Sequence, residues 1–269
     1  MDAISGFFLD VLYYSYIKPH AAQRLGLALL LVLAVLLIYL TRRTARGSQP
    51  KLRELSAVVG LEASLGEGAP VGAKLHLGTG RAGLADSHAV ETLVGIQAFG
   101  HLIKQAAAVG VPVIATAGDI TTLPALENTA LSGFEDTGNA ALLRVDTTRF
   151  VAQDPVAYAA GVMRILNSEE VTTNVMLGSF GDEYLLMGET AAQRGIDQVV
   201  GSANPFVLPF AYATSKALLI GEEMFALAAY LQRRPTQLAG VVAQDWLRLI
   251  AVVATVLLAL AASLGFVIT

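Results

Sequence analysis

The chain has no cysteine in its 269 residues, which excludes a disulfide scaffold and any cysteine-based metal or redox centre. Charge is also scarce. Asp, Glu, Lys and Arg make up 15% of the residues, where a soluble domain carries about 25%. No G-x-S-x-G, H-E-x-x-H or Walker lysine motif occurs, so the usual hydrolase, zinc-protease and P-loop signatures are missing. What is present is apolar. Hydrophobic residues reach 54% and the mean hydropathy is +0.58, against about 45–50% apolar for an ordinary soluble domain.

The formal net charge of −4 conceals an uneven distribution. Residues 1–59 and 231–269 together carry +6, whereas residues 60–230 carry −10. An acidic centre inside a basic frame repels phosphate, so nucleic acid is not an expected partner.

Two long apolar runs occupy the ends. Leu25–Leu40 is sixteen residues without a charge, and the stretch 21–41 reaches bilayer length if Arg24 snorkels to one surface. Leu249–Thr269 is 21 uncharged residues, roughly 31 Å as a helix. Both runs lack a polar face and adjoin basic residues, which predicts two transmembrane helices rather than two buried core helices. The first has no basic start and is followed by TRRTAR, so it reads as a retained anchor and not a cleaved signal peptide.

Arg42, Arg43, Arg46, Lys51 and Arg53 follow the first run, while Arg233, Arg234 and Arg248 precede the second. Both asymmetries place the central region in the cytoplasm of a prokaryote and the two termini beyond its plasma membrane. The lipid bilayer is thus the first expected partner. Within segment 1–20, Ile4, Phe7, Phe8, Val11 and Leu12 form a helical apolar stripe ahead of three tyrosines. That pattern suits an interfacial helix or a subunit contact.

Between the runs, linkers are expected over 42–70 and 232–248, flanking an α/β domain over 71–231. Strands are expected at Ala73–Gly78, Val111–Thr116, Ala141–Val145, Thr173–Leu177 and Gln198–Gly201. They alternate with helices near 87–109, 123–131, 155–166, 183–194 and 213–231. This alternation predicts a mostly parallel, Rossmann-like sheet with helices on both faces.

Ligands of such sheets bind at the strand carboxyl ends. Those ends carry Gly78-Thr79-Gly80, Asp119, Ser179 with Asp182, and Asn204. At any one junction such small and hydrogen-bonding side chains read as ordinary helix caps, whereas all four together point to a pocket. Gly78, Gly80 and Gly83 match G-x-G-x-x-G, a dinucleotide fingerprint. Two details weaken the match. The next helix starts beyond the glycines, and Asp119 lies 36 residues past Gly83, against about 20 in the usual motif.

His88 and Glu91 share a helix face, but His101 points about 220° away, so no metal site is expected. Glu222 and Glu223, the only charges in Leu218–Leu231, are candidates for a pocket or a subunit contact, with Lys216 or Arg194 as partners, and a plain solvated helix face is an equal reading. Glu189 completes the candidate set, and no cofactor is specified.

The segments GSFGDEYLLMGE (178–189), LPFAYATSKALLIGEEMFALAAYL (208–231) and LHLGTGRAGLADSHAVETLVGIQ (75–97) resemble a family of bacterial and archaeal membrane proteins catalogued only as a domain of unknown function. The likeness covers most of 70–231. It implies a membrane-anchored α/β domain and carries no catalytic residues with it.

These readings lead to one main expectation, a membrane-tethered α/β scaffold that forms a homo-oligomer or organises a membrane protein complex. The rival is a tethered enzyme or nucleotide sensor, with Thr79, Asp119, Asp182 and Glu189 as its first candidates. A transporter ranks third, because neither apolar run holds an interior ionisable residue.

Overall fold

The computed structural model describes residues 21–46, 55, 60–61, 72–232 and 234–263. The expected amphipathic segment 1–20 and most of the 42–70 linker lie outside the described residues. The chain divides into an α/β unit, Leu52–Gln232, and a helical unit made of Met1–Lys51 and Arg233–Thr269.

The elements run α1 (Ala21–Ala45), β1 (Lys74–Gly80), α2 (Ala89–Ala108), β2 (Val113–Ala117), α3 (Leu123–Asp136) and β3 (Thr148–Phe150). They continue through α4 (Pro155–Ser168), β4 (Val171–Ser179), α5 (Tyr184–Gln193), β5 (Asp197–Ser202) and α6 (Leu208–Thr214). β6 (Ala217–Ile220), α7 (Glu222–Gln232) and α8 (Pro235–Ser263) complete the order. All six strands pair in parallel, in the order β3-β2-β1-β4-β5-β6. That is the order of a doubly wound, Rossmann-like sheet.

The central strands are apolar on both faces because both are covered. Leu75, Leu77, Val113, Ala115, Val175 and Leu177 share a core with Phe99 and Leu102 of α2, Leu126 and Phe134 of α3, and Leu227 of α7. Ile114, Met176 and Val200, on the alternate face, pack with Tyr158 and Val162 of α4, Tyr184 and Met187 of α5, and Ala211 of α6. Leu55 and Leu61, from the stretch read as a linker, are buried in the first of these cores.

Local chemistry sets the helix starts. α4 opens with Asp154 accepting the Ala157 amide at 2.9 Å and with Pro155 in its first turn. α7 carries Glu222 and Glu223 in its first turn, where the helix dipole favours negative charge.

Two sequence expectations fail. The third strand is not Ala141–Val145, which holds a 3-10 turn at Ala140–Leu142; it is Thr148–Phe150, short and half-exposed at the sheet edge. The expected helix 213–231 is three elements. α6 ends at Thr214, β6 occupies Ala217–Ile220, and α7 begins after a turn at Gly221.

In the helical unit, α1 and α8 pack through Leu33, Leu36, Leu37 and Leu40 against Ala239, Val242 and Ala243. The leucine spacing puts one stripe of α1 into the seam. α8 begins at Pro235, inside the stretch expected to be the 232–248 linker. Among the described residues, no helix is long and apolar enough to cross a membrane. The fold by itself therefore gives no support to the terminal transmembrane helices expected from the sequence.

Candidate functional site

In a sheet of this order, the connections after the parallel neighbours β1 and β4 lead to opposite sides, and the crevice beyond their carboxyl ends is where ligands of such sheets bind. An open cleft of about 490 Å³ lies there. It is lined by Arg81, just past β1, by Gly181, Asp182 and Glu183, just past β4, by Pro155 and Val156 of α4, and by Leu186 of α5.

The loops around the cleft are locked together. Arg81 Nε donates to Glu183 Oε1 at 2.7 Å, and the Gly181 amide donates to the same oxygen at 2.9 Å. The Glu183 side chain is only 4% exposed and that of Arg81 is 34% exposed, so a buried carboxylate holds a guanidinium that still reaches solvent. The Arg81 amide also donates to the Ser179 carbonyl, and Asn204 Nδ2 donates to the Phe180 carbonyl, tying in the β5 loop.

The glycine motif has a packing role. A Cβ on Gly80, at φ +78°, would stand 2.1 Å from the Ser179 carbonyl oxygen, and one on Gly178 would stand 2.0 Å from the Thr79 carbonyl oxygen. These glycines let β1 and β4 approach each other. The space a pyrophosphate needs is filled by protein backbone. α2 starts at Ala89, six residues beyond Gly83, so its amino terminus does not open at the glycines. Asp119, the ribose-binding candidate, accepts hydrogen bonds from the Thr121 amide and hydroxyl and from Gln153 Nε2. Those bonds, Thr121 first, hold its carboxyl below the usual range. The residues present do not fit a dinucleotide.

Across the middle of the sheet runs a buried polar row that the sequence reading did not anticipate. His76 Nδ1 lies 2.7 Å from Asn174 Oδ1, and Nε2 lies 3.0 Å from Thr116 Oγ1. Asn174 Nδ2 donates to Gln198 Oε1 at 3.1 Å, and Gln198 Nε2 donates to the Gly188 and Thr214 carbonyls. Because Asn174 offers its oxygen to His76, the imidazole is protonated on Nδ1 and accepts from Thr116 at Nε2. Burial pushes its pKa down to about 4 and keeps it neutral. The Tyr158 hydroxyl lies 3.4 Å from Thr116 Oγ1, and burial raises its pKa to about 12. The only sequence signal for this row is the regular placement of polar residues inside apolar strands.

The remaining candidates scatter. Gly78 sits inside β1, Thr79 is buried with its hydroxyl donating to the Thr116 carbonyl, and Gly83 packs against Asp119. Glu189 pairs with Gln193 on the exposed surface of α5. Glu222 and Glu223 lie at the start of α7, where Glu223 accepts the Ile220 amide. Lys216 instead bonds Asp197, and Arg194 bonds Asn167. Of the predicted set, only Asp182 lines the cleft. Arg81 and Glu183 were missed because their pairing spans 102 residues.

His88 and Glu91 bond to each other at 3.0 Å at the start of α2. Among the described residues, no group of three or more His, Asp or Glu side chains is placed to hold a metal ion.

A family model described as Domain of unknown function (DUF6754) matches residues 18–269. No curated protein and no solved structure matches the chain.

Proposed function

We propose, from the premise that this chain belongs to the DUF6754 family, that it is a membrane-anchored α/β module which assembles with copies of itself and organises partners at the cytoplasmic face. One observation carries the anchor. The seam between α1 and α8 is narrow, and large apolar side chains outside it are left bare. On α1 these include Leu30, Val32, Val35 and Ile38, and on α8 Ile250, Val252, Val253 and Val256. An apolar surface of that continuity is costly in water and at home in lipid.

The flanking charges supply the orientation. Arg42, Arg43 and Arg46 at the end of α1, Arg234 just before α8, and Arg248 next to the uncharged run of α8 suit the anionic cytoplasmic leaflet. Tyr39 and Trp246 are more than half exposed, as interfacial aromatics are. For the length of the spans the sequence offers 21–41, with Arg24 snorkelling to one surface, and the uncharged Leu249–Thr269.

The absence of cysteine makes a direct test simple. Ser132→Cys places one thiol on the exposed surface of α3. In intact cells it should be shielded from an impermeant thiol reagent and should react after lysis. Labelling in intact cells overturns the orientation, and release of the chain by alkaline carbonate overturns the anchor. A monomeric native mass in detergent overturns the self-assembly.

A further inference from the structure

The cleft at the β1–β4 switch point contains a matched but unsatisfied set of charges. A guanidinium carries five N–H donors. In Arg81 only Nε is engaged, by Glu183, and the two Nη groups have no hydrogen-bond partner among the described residues. Gly181 helps to keep that edge open, because a Cβ there would stand 3.3 Å from Nη2. Asp182 is exposed in the lining of the same cleft, and its carboxylate has no side-chain partner among the described residues.

The rest of the lining is largely apolar. Val156 and Leu186 are 66% and 44% exposed, a large share for aliphatic side chains at a cleft. Pro155 has no amide hydrogen to offer, and the Ala157 amide is already taken by Asp154. Among the described residues lining the cleft, Arg81 is the one cationic side chain, so the charged group that meets an anion there is its free Nη edge.

We infer that this cleft binds a small zwitterion of the α-amino-acid type with an apolar side chain. Its carboxylate meets the free edge of Arg81, its ammonium meets Asp182, and its side chain covers Val156 and Leu186. A dianion such as phosphate is repelled by Asp182 and Glu183, and a simple cation is repelled by Arg81. Only a ligand carrying both charges satisfies Arg81 and Asp182 together. The volume of about 490 Å³ suits a small molecule. Glu183 is a positioning residue, holding the guanidinium from behind. The site is independent of the membrane anchor.

The test uses the full chain in detergent, with thermal shift and calorimetric titration. L-Leucine, L-valine and L-phenylalanine are the probes, with N-acetyl-L-leucine lacking the ammonium and L-leucinamide lacking the carboxylate. At least one of the three amino acids should raise Tm saturably. Both leucine analogues should bind at least about tenfold more weakly than leucine. Asp182→Asn alters an exposed side chain and leaves the fold intact. It should abolish the preference for leucine over N-acetyl-leucine while keeping the preference over leucinamide. Arg81→Gln should do the reverse. No saturable response to any of the three amino acids overturns the inference. So does protection by inorganic phosphate equal to that by leucine, or an unchanged preference in Asp182→Asn.

Discussion

His76 and Asn174 face each other at register-paired positions of β1 and β4, with Nδ1 and Oδ1 2.7 Å apart and both residues wholly buried. An imidazole in that place is stable only as the neutral form. Its pKa is held near 4, against 6.5 in an unfolded chain. Above pH 6.5 both states are neutral, and the stability is complete. As pH falls from 6.5 toward 4, the unfolded chain takes up a proton that the folded chain refuses. The total loss is about 3 kcal/mol. Urea midpoints at about pH 7 and pH 4.5 should fall more steeply in the parent than in His76→Gln. Equal slopes would mean that another group carries the pH dependence.

The glycines between β1 and β4 predict a contrast. Gly80→Ala forces a Cβ against the Ser179 carbonyl, which is main chain and cannot swing aside. The loss should be several kcal/mol, or outright misfolding. Gly110 has nearly the same backbone angle, φ +76°, but nothing lies within 4 Å of its Cβ position. Gly110→Ala should cost only about 1–2 kcal/mol, the left-handed backbone alone. Chemical denaturation of the two variants separates crowding from backbone preference.

The Arg81–Glu183 pair is asymmetric, since the carboxylate is buried and the guanidinium is one-third exposed. Removing Arg81 leaves a buried charge with too few partners, while removing Glu183 returns a guanidinium to water. Arg81→Ala should therefore cost more than Glu183→Ala, roughly 2 kcal/mol against about 1. The double variant should be more stable than Arg81→Ala alone, as thermal unfolding of the complete cycle would reveal.

Val35 on α1 is 68% exposed. On a surface facing water, Val35→Arg would be neutral or would improve solubility. Facing lipid, it should cost about 2.5–3.5 kcal/mol of insertion and deplete the chain from the membrane fraction. Ser132→Arg, a matched change on α3, should leave the distribution unaltered.

Strong periodicity made the central fold readable. Val113–Ala117 is a near-continuous apolar strand, Val175-Met176-Leu177 is the apolar centre of β4, and the helices α4 and α5 on either side of β4 are marked by Pro155 and Gly195. The misses share a cause. Thr148-Arg149-Phe150 has no apolar run, because an edge strand of three residues has little to bury. β6 carries the continuous apolar sequence Ala217–Ile220, and apolar periodicity alone cannot distinguish a short strand from a helical turn. Gly221 was the available break signal. At the site, the glycine motif was legible as a motif but not as packing. Its meaning depends on Ser179 and Thr79 approaching it from another strand, which is long-range information.

The polar row across β2, β1, β4 and β5 has one more effect. Parallel strands that are greasy on both sides tolerate sliding by two residues, since each apolar side chain lands where another had been. Thr116, His76, Asn174 and Gln198 do not repeat at that spacing. A two-residue slip would pair amides with methyl groups and strand their hydrogen bonds in the dry interior. The row works as the teeth of a zipper, setting the one alignment in which the sheet closes, and with it the position of every loop at the sheet's ligand-facing end.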